Sequence, residues 1–110
     1  GGVRMGKKES LILISKFLKE LTKKFAIKEI IFFGSGAEGR EMNDSDIDLI
    51  VVSDNFIGMD FFERVEKMYD YWTYPIPVDF LCYTISEFES LKKKISVVKT
   101  ALEDGIIIQN

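Results

Sequence analysis

The chain contains no histidine and only one cysteine, and both facts limit the catalytic groups and metal ligands available to it. Without histidine there can be no Ser-His-Asp triad, no imidazole general base and no histidine metal ligand. Cys82 has no second cysteine in the chain to pair with, which favours a reducing, cytoplasmic compartment. Any bound metal is therefore expected to be a hard cation held by oxygen ligands.

Long hydrophobic runs and an excess of positive charge are also missing. The apolar runs are far too short to span a bilayer, and the N-terminus lacks the apolar segment of a secretory signal, so we expect no membrane contact. A net charge of −3 argues against a general nucleic-acid coat, which needs a basic face. The length of 110 residues predicts a single domain over residues 1–110.

The hydrophobic periodicity predicts helices that alternate with short strands. Helices are expected over residues 8–25, from an Asp60-x-x-Glu63 capping box onward, and from Ser86-x-x-Glu89 to residue 102. Strands are expected over residues 29–33, 47–52 and 78–83, and residues 106–108 form a short last strand or a docking tail. This order predicts a small α/β (α+β) domain with helices packed on a mixed sheet.

The aromatic side chains between residues 56 and 74 are assigned mainly to the core. Helical spacing places Phe61, Val65, Met68 and Trp72 along one face of the second helix. Three tyrosines fall off that face, and some of them are candidates for a partner surface: Tyr69, Tyr71 and Tyr74.

Two phosphate-site patterns overlap between Ile30 and Val52. Gly34-x-Gly36-x-x-Gly39 after an apolar strand matches the dinucleotide-binding pattern. That fold needs a crossover helix with an apolar face before the next strand. The twelve residues between Gly34 and Ile47 offer one methionine for such a face, so we reject this interpretation.

A calcium loop is the second interpretation that the spacing excludes. Asp44-x-Asp46-x-Asp48 resembles the start of an EF-hand, which requires glycine at its sixth position and glutamate at its twelfth. Leu49 and Asn55 occupy those positions.

A metal-dependent phosphate-transfer site satisfies the spacing. Asp46 and Asp48, at i and i+2 of a strand, project from one face roughly 6–7 Å apart and could bridge two divalent ions. Gly34 and Ser35 could offer backbone N–H groups and a hydroxyl to phosphate oxygens, with a short helix near residue 36 pointing its positive end at them. Asp79 lies in an apolar run, where a carboxylate is costly unless paired, bound to metal or at an exposed strand edge.

These residues resemble the nucleotidyltransferase family related to DNA polymerase beta, and most closely its minimal nucleotidyltransferase branch. The resemblance rests on Gly34-Ser35, ten residues, then Asp46-x-Asp48 within Ser-Asp-Ile-Asp-Leu, and on Val78-Asp79-Phe80 and Ala-Leu-Glu-x-Gly ending at Gly105. It covers nearly the whole chain.

The resemblance implies transfer of a nucleoside monophosphate, usually AMP from ATP, to a hydroxyl. Asp46, Asp48 and Asp79 would hold two Mg²⁺ ions and act as the catalytic residues, and Gly34 and Ser35 would bind the nucleotide phosphates. Many relatives carry arginines just after Gly-Ser, where this chain has Gly36 and Glu38. Arg40 would replace that charge if it binds the nucleotide; otherwise it is an ordinary exposed side chain.

The resemblance also suggests partners. Larger relatives append a substrate domain, so the acceptor here is expected to be held by a second copy of the chain or by another protein. In the minimal branch the common partner is a small helical HEPN-type ribonuclease toxin, which the transferase neutralises as antitoxin. The alternative is a nucleotide-binding or toxin-neutralising module with a degenerate site, which the missing arginines favour.

Overall fold

The computed structural model contains the predicted elements in the predicted order, together with two two-residue strands and a break in the last helix that the sequence does not predict. The structure describes residues 4–34, 37, 42–43 and 47–108. In chain order the elements are strand β1 (Arg4–Met5), helix α1 (Lys7–Leu21), strands β2 (Ile27–Phe33), β3 (Met42–Asn43) and β4 (Ile47–Ser53), helix α2 (Phe61–Tyr71), strand β5 (Val78–Tyr83), helices α3 (Ile85–Lys92) and α4 (Val97–Asp104), and strand β6 (Ile106–Ile108). A 3-10 turn over Asp54–Phe56 follows β4.

The main sheet is mixed, as the sequence predicts. Its strand order is β5-β4-β2-β6, in which β4 and β5 are parallel while β2 is antiparallel to both of its neighbours. The two-residue strands β1 and β3 form a separate antiparallel pair. The long connection that a parallel pair requires is supplied by α2, which lies between β4 and β5 in the chain.

Helices cover both faces of this sheet because alternate strand residues point to opposite sides. One face packs against α1 and α2 through a core that includes Phe32, Leu49 and Phe80. The other packs against α3 and α4 through a core that includes Ile31, Ile50 and Phe88. The sheet is therefore the middle of three layers, and its central strands β2 and β4 are buried on both sides.

Helix α1 begins at Lys7, one residue before the predicted range of residues 8–25, and ends at Leu21, inside that range. Its buried side chains Ile14, Phe17, Leu18 and Leu21 recur at helical spacing toward the sheet. The chain leaves the helix after Leu21, and Phe25 packs on the same core from the following turn. With 15 residues α1 is the longest helix described, and none of the described helices combines the length and the apolar character needed to cross a membrane.

Helix α2 begins at the predicted capping box. The Asp60 carboxylate accepts a hydrogen bond from the Glu63 backbone N–H at 2.9 Å, and the Glu63 side chain accepts one from the Asp60 N–H. Met68 and Trp72 are buried as predicted. The prediction for Phe61 is wrong: its side chain, in the first turn of α2, is 49% exposed.

Two tyrosines of the predicted partner surface contribute to the core instead. Tyr71 and Tyr74 are half-buried against the α1/α2 core, with the Tyr71 ring edge-on to Phe25 and the Tyr74 ring edge-on to Trp72. Tyr69 remains 45% exposed.

The predicted start of the third helix is also wrong. The capping box uses Thr84 and Glu87, two residues before the predicted Ser86 and Glu89. The helix can begin this early because β5 pairs with β4 only as far as Tyr83. The predicted continuous helix to residue 102 is two helices, since Ser96 caps α4 by accepting a hydrogen bond from the Lys99 N–H. Gly105 ends α4 as predicted, and residues 106–108 form the short strand.

Candidate active site

Asp48 and Asp79 lie side by side at the end of the sheet where β4 and β5 begin. The two residues are direct partners in the parallel register of these strands. Adjacent strands are roughly 4.8 Å apart, and paired residues point to the same face, so the two carboxylates share one side of the sheet. Asp48 is half-buried and Asp79 is exposed. The sheet thus presents a carboxylate pair that solvent reaches from the β5 side.

Gly34 approaches the same pair from β2. Phe33, the last residue of β2, is the register partner of Asp48, and Gly34 follows it with a φ of +81°. A Cβ atom built on Gly34 would lie 2.5 Å from Oδ2 of Asp48. Glycine is therefore required here twice, by the left-handed backbone and by the contact with the carboxylate.

Two side chains at the C-terminal end of α2 and its cap donate hydrogen bonds to the chain at the start of β5, which carries Asp79. The Tyr69 hydroxyl donates to the Val78 carbonyl at 2.6 Å, and the Trp72 indole N–H donates to the Ile76 carbonyl at 2.6 Å. Burial first, and then the nearby Asp79 carboxylate and Cys82 thiol, raise the pKa of the Tyr69 hydroxyl above its usual value. Tyr69 is therefore a neutral hydrogen-bond donor at physiological pH.

Three of the predicted site residues lie outside the described residues: Ser35, Arg40 and Asp46. The short helix predicted near residue 36 also falls outside the described ranges. Among the residues that the structure does describe, no three acidic, histidine or cysteine side chains form a metal-sized cluster. The structure therefore brings together Gly34, Asp48 and Asp79 of the six predicted positions.

The donor set at this end of the sheet suits a hard divalent cation. Carboxylate oxygens are the ligands that Mg²⁺ prefers, and a cation between two carboxylates relieves the repulsion of their like charges. Both side chains point to one face, and the exposure of Asp79 leaves the pair open to a ligand.

Comparison with known families agrees with this geometry. A family model described as the nucleotidyltransferase domain matches residues 14–108, which include Gly34, Asp48 and Asp79. The chain belongs to the nucleotidyltransferase domain family. The predicted membership in this family is confirmed.

A solved structure supports the nucleotidyltransferase fold independently. The chain is similar to the crystal structure of a proposed nucleotidyltransferase from Sulfolobus solfataricus, with a TM-score of 0.66 and 22% sequence identity. The similarity covers 92% of this chain and 80% of the other. No curated protein matches the chain significantly.

Sequence reasoning does not predict the contact that Tyr69 makes with the strand that carries Asp79. The sequence pattern makes Tyr69 a candidate for a partner surface, because it falls off the apolar face of α2. Its bond to the Val78 carbonyl depends on how α2 packs on β5, so no local spacing in the sequence could reveal it. The tyrosine's isolated position at the edge of the apolar face was the available signal.

Proposed function

We propose that this nucleotidyltransferase is Mg²⁺-dependent and transfers AMP from ATP to an acceptor hydroxyl. Asp46, Asp48 and Asp79 are the proposed metal-binding and catalytic residues, with Gly34, Ser35 and Arg40 binding the nucleotide. The observation that carries the proposal is the register pairing of Asp48 with Asp79 beside the left-handed Gly34. It places two acidic side chains and a close-approach glycine at one end of the sheet.

The protein's own residues account for binding and orientation. The Gly34–Ser35 segment follows β2 directly and binds the terminal phosphates through backbone N–H groups and the Ser35 hydroxyl. Asp79 is exposed, so an acceptor hydroxyl can approach it. The acceptor oxygen forms a bond to the α-phosphorus, pyrophosphate leaves, and the hydroxyl proton is accepted by a carboxylate oxygen of Asp79. When bound, Mg²⁺ neutralises the phosphate charge and aligns the reacting oxygens.

Labelled transfer tests this proposal. With ATP labelled at the α-phosphate, Mg²⁺ and lysate of the source cells as acceptor, the wild-type protein should leave label on a protein or RNA. Asp48→Asn and Asp79→Asn keep the side-chain shape and remove the charge, and each should lower the rate about 100-fold or more. Asp70→Asn is the matched control, because Asp70 is an exposed aspartate of α2. Undiminished transfer by Asp48→Asn and Asp79→Asn would contradict the proposed site.

We further propose that the acceptor is carried by a partner protein, a HEPN-type ribonuclease toxin that this protein neutralises as antitoxin. The resemblance to the minimal branch supports this proposal. A second support is an exposed apolar group at the start of α2, where Ile57, Phe61 and Phe62 are 67%, 49% and 76% exposed. Exposed aromatic clusters of this kind are typical of partner surfaces.

Co-expression with the product of an adjacent reading frame tests the partner. A small helical protein with an Arg-x₄-His motif should co-purify with the wild-type protein and become labelled by it. Phe62→Ser should weaken co-purification and leave the Mg²⁺ dependence of nucleotide binding unchanged. Transfer of label to RNA with no labelled partner would contradict the antitoxin role and leave nucleotidyl transfer standing.

The second candidate function is a degenerate nucleotide-binding or toxin-neutralising module. Gly36 and Glu38 favour it, because they stand where relatives carry arginines. A titration of ATP with and without Mg²⁺ separates the two candidates. Metal-dependent affinity accompanied by turnover supports the enzyme, and partner binding with no metal-dependent affinity supports the module.

A further inference from the structure

Strand β5 is an edge strand of the main sheet, and side chains of α2 occupy the place of its missing neighbour. Arg64 and Tyr69 of α2 donate hydrogen bonds to carbonyl oxygens of β5, and Trp72, which caps the C-terminal end of α2, donates one to a carbonyl just before the strand. Trp72 donates to Ile76 at 2.6 Å, Tyr69 to Val78 at 2.6 Å and Arg64 to Cys82 at 3.1 Å. The donors run backward along α2 as the acceptors run forward along the chain, so the helix lies antiparallel to the strand.

The middle contact acts on the peptide unit that precedes Asp79. The Val78 carbonyl belongs to the Val78–Asp79 peptide, and its orientation is coupled to the direction in which the Asp79 side chain leaves the strand. On the inner side Asp79 is fixed by its pairing with Asp48. On the outer side the Tyr69 hydroxyl fixes this peptide from the other direction.

The Tyr69 ring is itself held in place. It packs edge-on to Phe80 with ring centroids 5.1 Å apart, while the side chain stays 45% exposed. Because the ring is already held in place, the hydroxyl loses little conformational entropy when it forms its hydrogen bond. The hydrogen bond can therefore determine the orientation of the Val78–Asp79 peptide. Asp79 is the second residue of β5, which begins directly after Pro77, and strand ends tend to fray.

We propose that Tyr69 is a positioning residue for nucleotidyl transfer, which acts by fixing the Val78–Asp79 peptide so that the Asp79 carboxylate stays aligned with Asp48. This inference rests on the proposed function. Tyr69 itself touches neither nucleotide nor metal in this role. Its effect passes through one hydrogen bond to the backbone.

The test is Tyr69→Phe, which removes the hydroxyl and keeps the ring on Phe80. With wild-type transfer established, the variant should lower kcat about tenfold and leave the KM for ATP within about twofold, a loss in the range seen for outer-shell partners of metal ligands. A second readout avoids turnover: Mn²⁺ binding in the presence of an unreactive ATP analogue, followed by electron paramagnetic resonance, should weaken by a similar factor.

Tyr71→Phe is the matched control on the same helix. The Tyr71 ring packs edge-on to Phe25, on the α1 side and away from β5. This variant should retain wild-type kcat and Mn²⁺ affinity. Urea unfolding of both variants separates a structural role from a positioning role, because a purely structural hydroxyl would shift the unfolding midpoint and leave kcat and Mn²⁺ affinity unchanged.

Each outcome decides between the two proposals. Loss of transfer in Asp79→Asn together with wild-type kcat and Mn²⁺ affinity in Tyr69→Phe would overturn the positioning role and leave the proposed function standing. A wild-type protein that neither transfers label nor binds Mn²⁺ with the analogue would overturn both. A tenfold loss in Tyr69→Phe beside an unaffected Tyr71→Phe would support both.

Discussion

At the residue scale, Gly34 is the position where substitution is most restricted, both by its backbone conformation and by its contact with Asp48. Its φ is +81°, and an added Cβ would lie 2.5 Å from Oδ2 of Asp48. Gly34→Ala should therefore destabilise the fold through backbone strain of about 1–3 kcal/mol and should also displace the Asp48 carboxylate. We expect at least a tenfold loss of transfer, measured with labelled ATP beside a urea unfolding curve.

Gly58→Ala is the control for Gly34→Ala. Gly58 has a nearly identical φ of +88°, and nothing lies within 4 Å of its added Cβ. It should show the same backbone strain and keep its transfer activity. Equal activity losses in the two variants would mean that the close approach to Asp48 does not matter.

Glu87 gives a residue-scale prediction about pH. The hydrogen bond from Arg64, with Nη1 2.6 Å from Oε1, is the largest of the effects that hold the pKa of Glu87 below its usual value. A depressed carboxyl pKa stabilises the fold above the unfolded value of about 4.3, and the contribution disappears as pH falls through the lower folded value. Because the side chain is 44% exposed, the contribution should be about 1 kcal/mol or less.

Glu87→Gln removes the negative charge and keeps the capping box, because a glutamine side chain can still complete it. The difference in unfolding free energy between wild type and variant should be constant well above the unfolded pKa of about 4.3 and should shrink as pH falls below it. Urea unfolding at several pH values measures it. Glu89→Gln serves as the control, because Glu89 pairs with Lys92 on the surface. A difference that grows toward low pH would contradict the sign.

At the element scale, the start of α3 shows how the sheet decides between two equivalent sequence patterns. Thr84-x-x-Glu87 and Ser86-x-x-Glu89 both satisfy the capping-box spacing. The structure uses the first, with the Thr84 hydroxyl accepting from the Glu87 N–H at 3.2 Å. Thr84→Ala should lower the unfolding free energy by about 1 kcal/mol, whereas Ser86→Ala on the exposed side should change it little. Urea curves of both variants measure this, and a larger loss from Ser86→Ala would contradict the assignment.

The elements that are determined by a single local sequence signal could be predicted, and the others could not. Strands β4 and β5 and the start of α2 are set by local signals, which are β-branched runs and an Asp60–Glu63 box with no competitor nearby. The break between α3 and α4 is hidden in the sequence, because apolar residues continue across it to Leu102. The Ser96 hydroxyl donates to the Leu91 carbonyl at 2.7 Å and turns the chain, while Ile95 is fully exposed despite its apolar side chain.

Local sequence patterns likewise predict one part of the candidate site and miss the rest. The spacing of Gly34 and Asp48 and the apolar setting of Asp79 sufficed to nominate these residues, because each nomination needs only neighbours in sequence. The pairing of Asp48 with Asp79 depends on strand register across a connection that contains α2. The contact between Gly34 and Asp48 and the bond from Tyr69 arise from packing, so neither follows from a local pattern.

At the scale of the whole molecule, the single cysteine reports on the integrity of the α1/α2 core. Cys82 is fully buried, and burial raises the pKa of its thiol to about 12, against an opposing effect of the Arg64 guanidinium. The thiolate is the reactive form, so both access and ionisation protect this residue in the native state. At neutral pH a thiol reagent should label Cys82 only when the surrounding core opens.

The dependence of that labelling rate on urea reveals which opening exposes Cys82. Cys82 lines a groove between the start of α2 and α3, whose other walls include Phe61, Arg64 and Leu91. Its neighbours Phe80 and Leu49 belong to the same central core, so we expect labelling to require global unfolding. The logarithm of the rate should then rise with urea as steeply as the equilibrium unfolding curve predicts. A rate that is independent of urea at low concentration would contradict this expectation, because it would mean that α2 and α3 separate locally while the sheet stays folded.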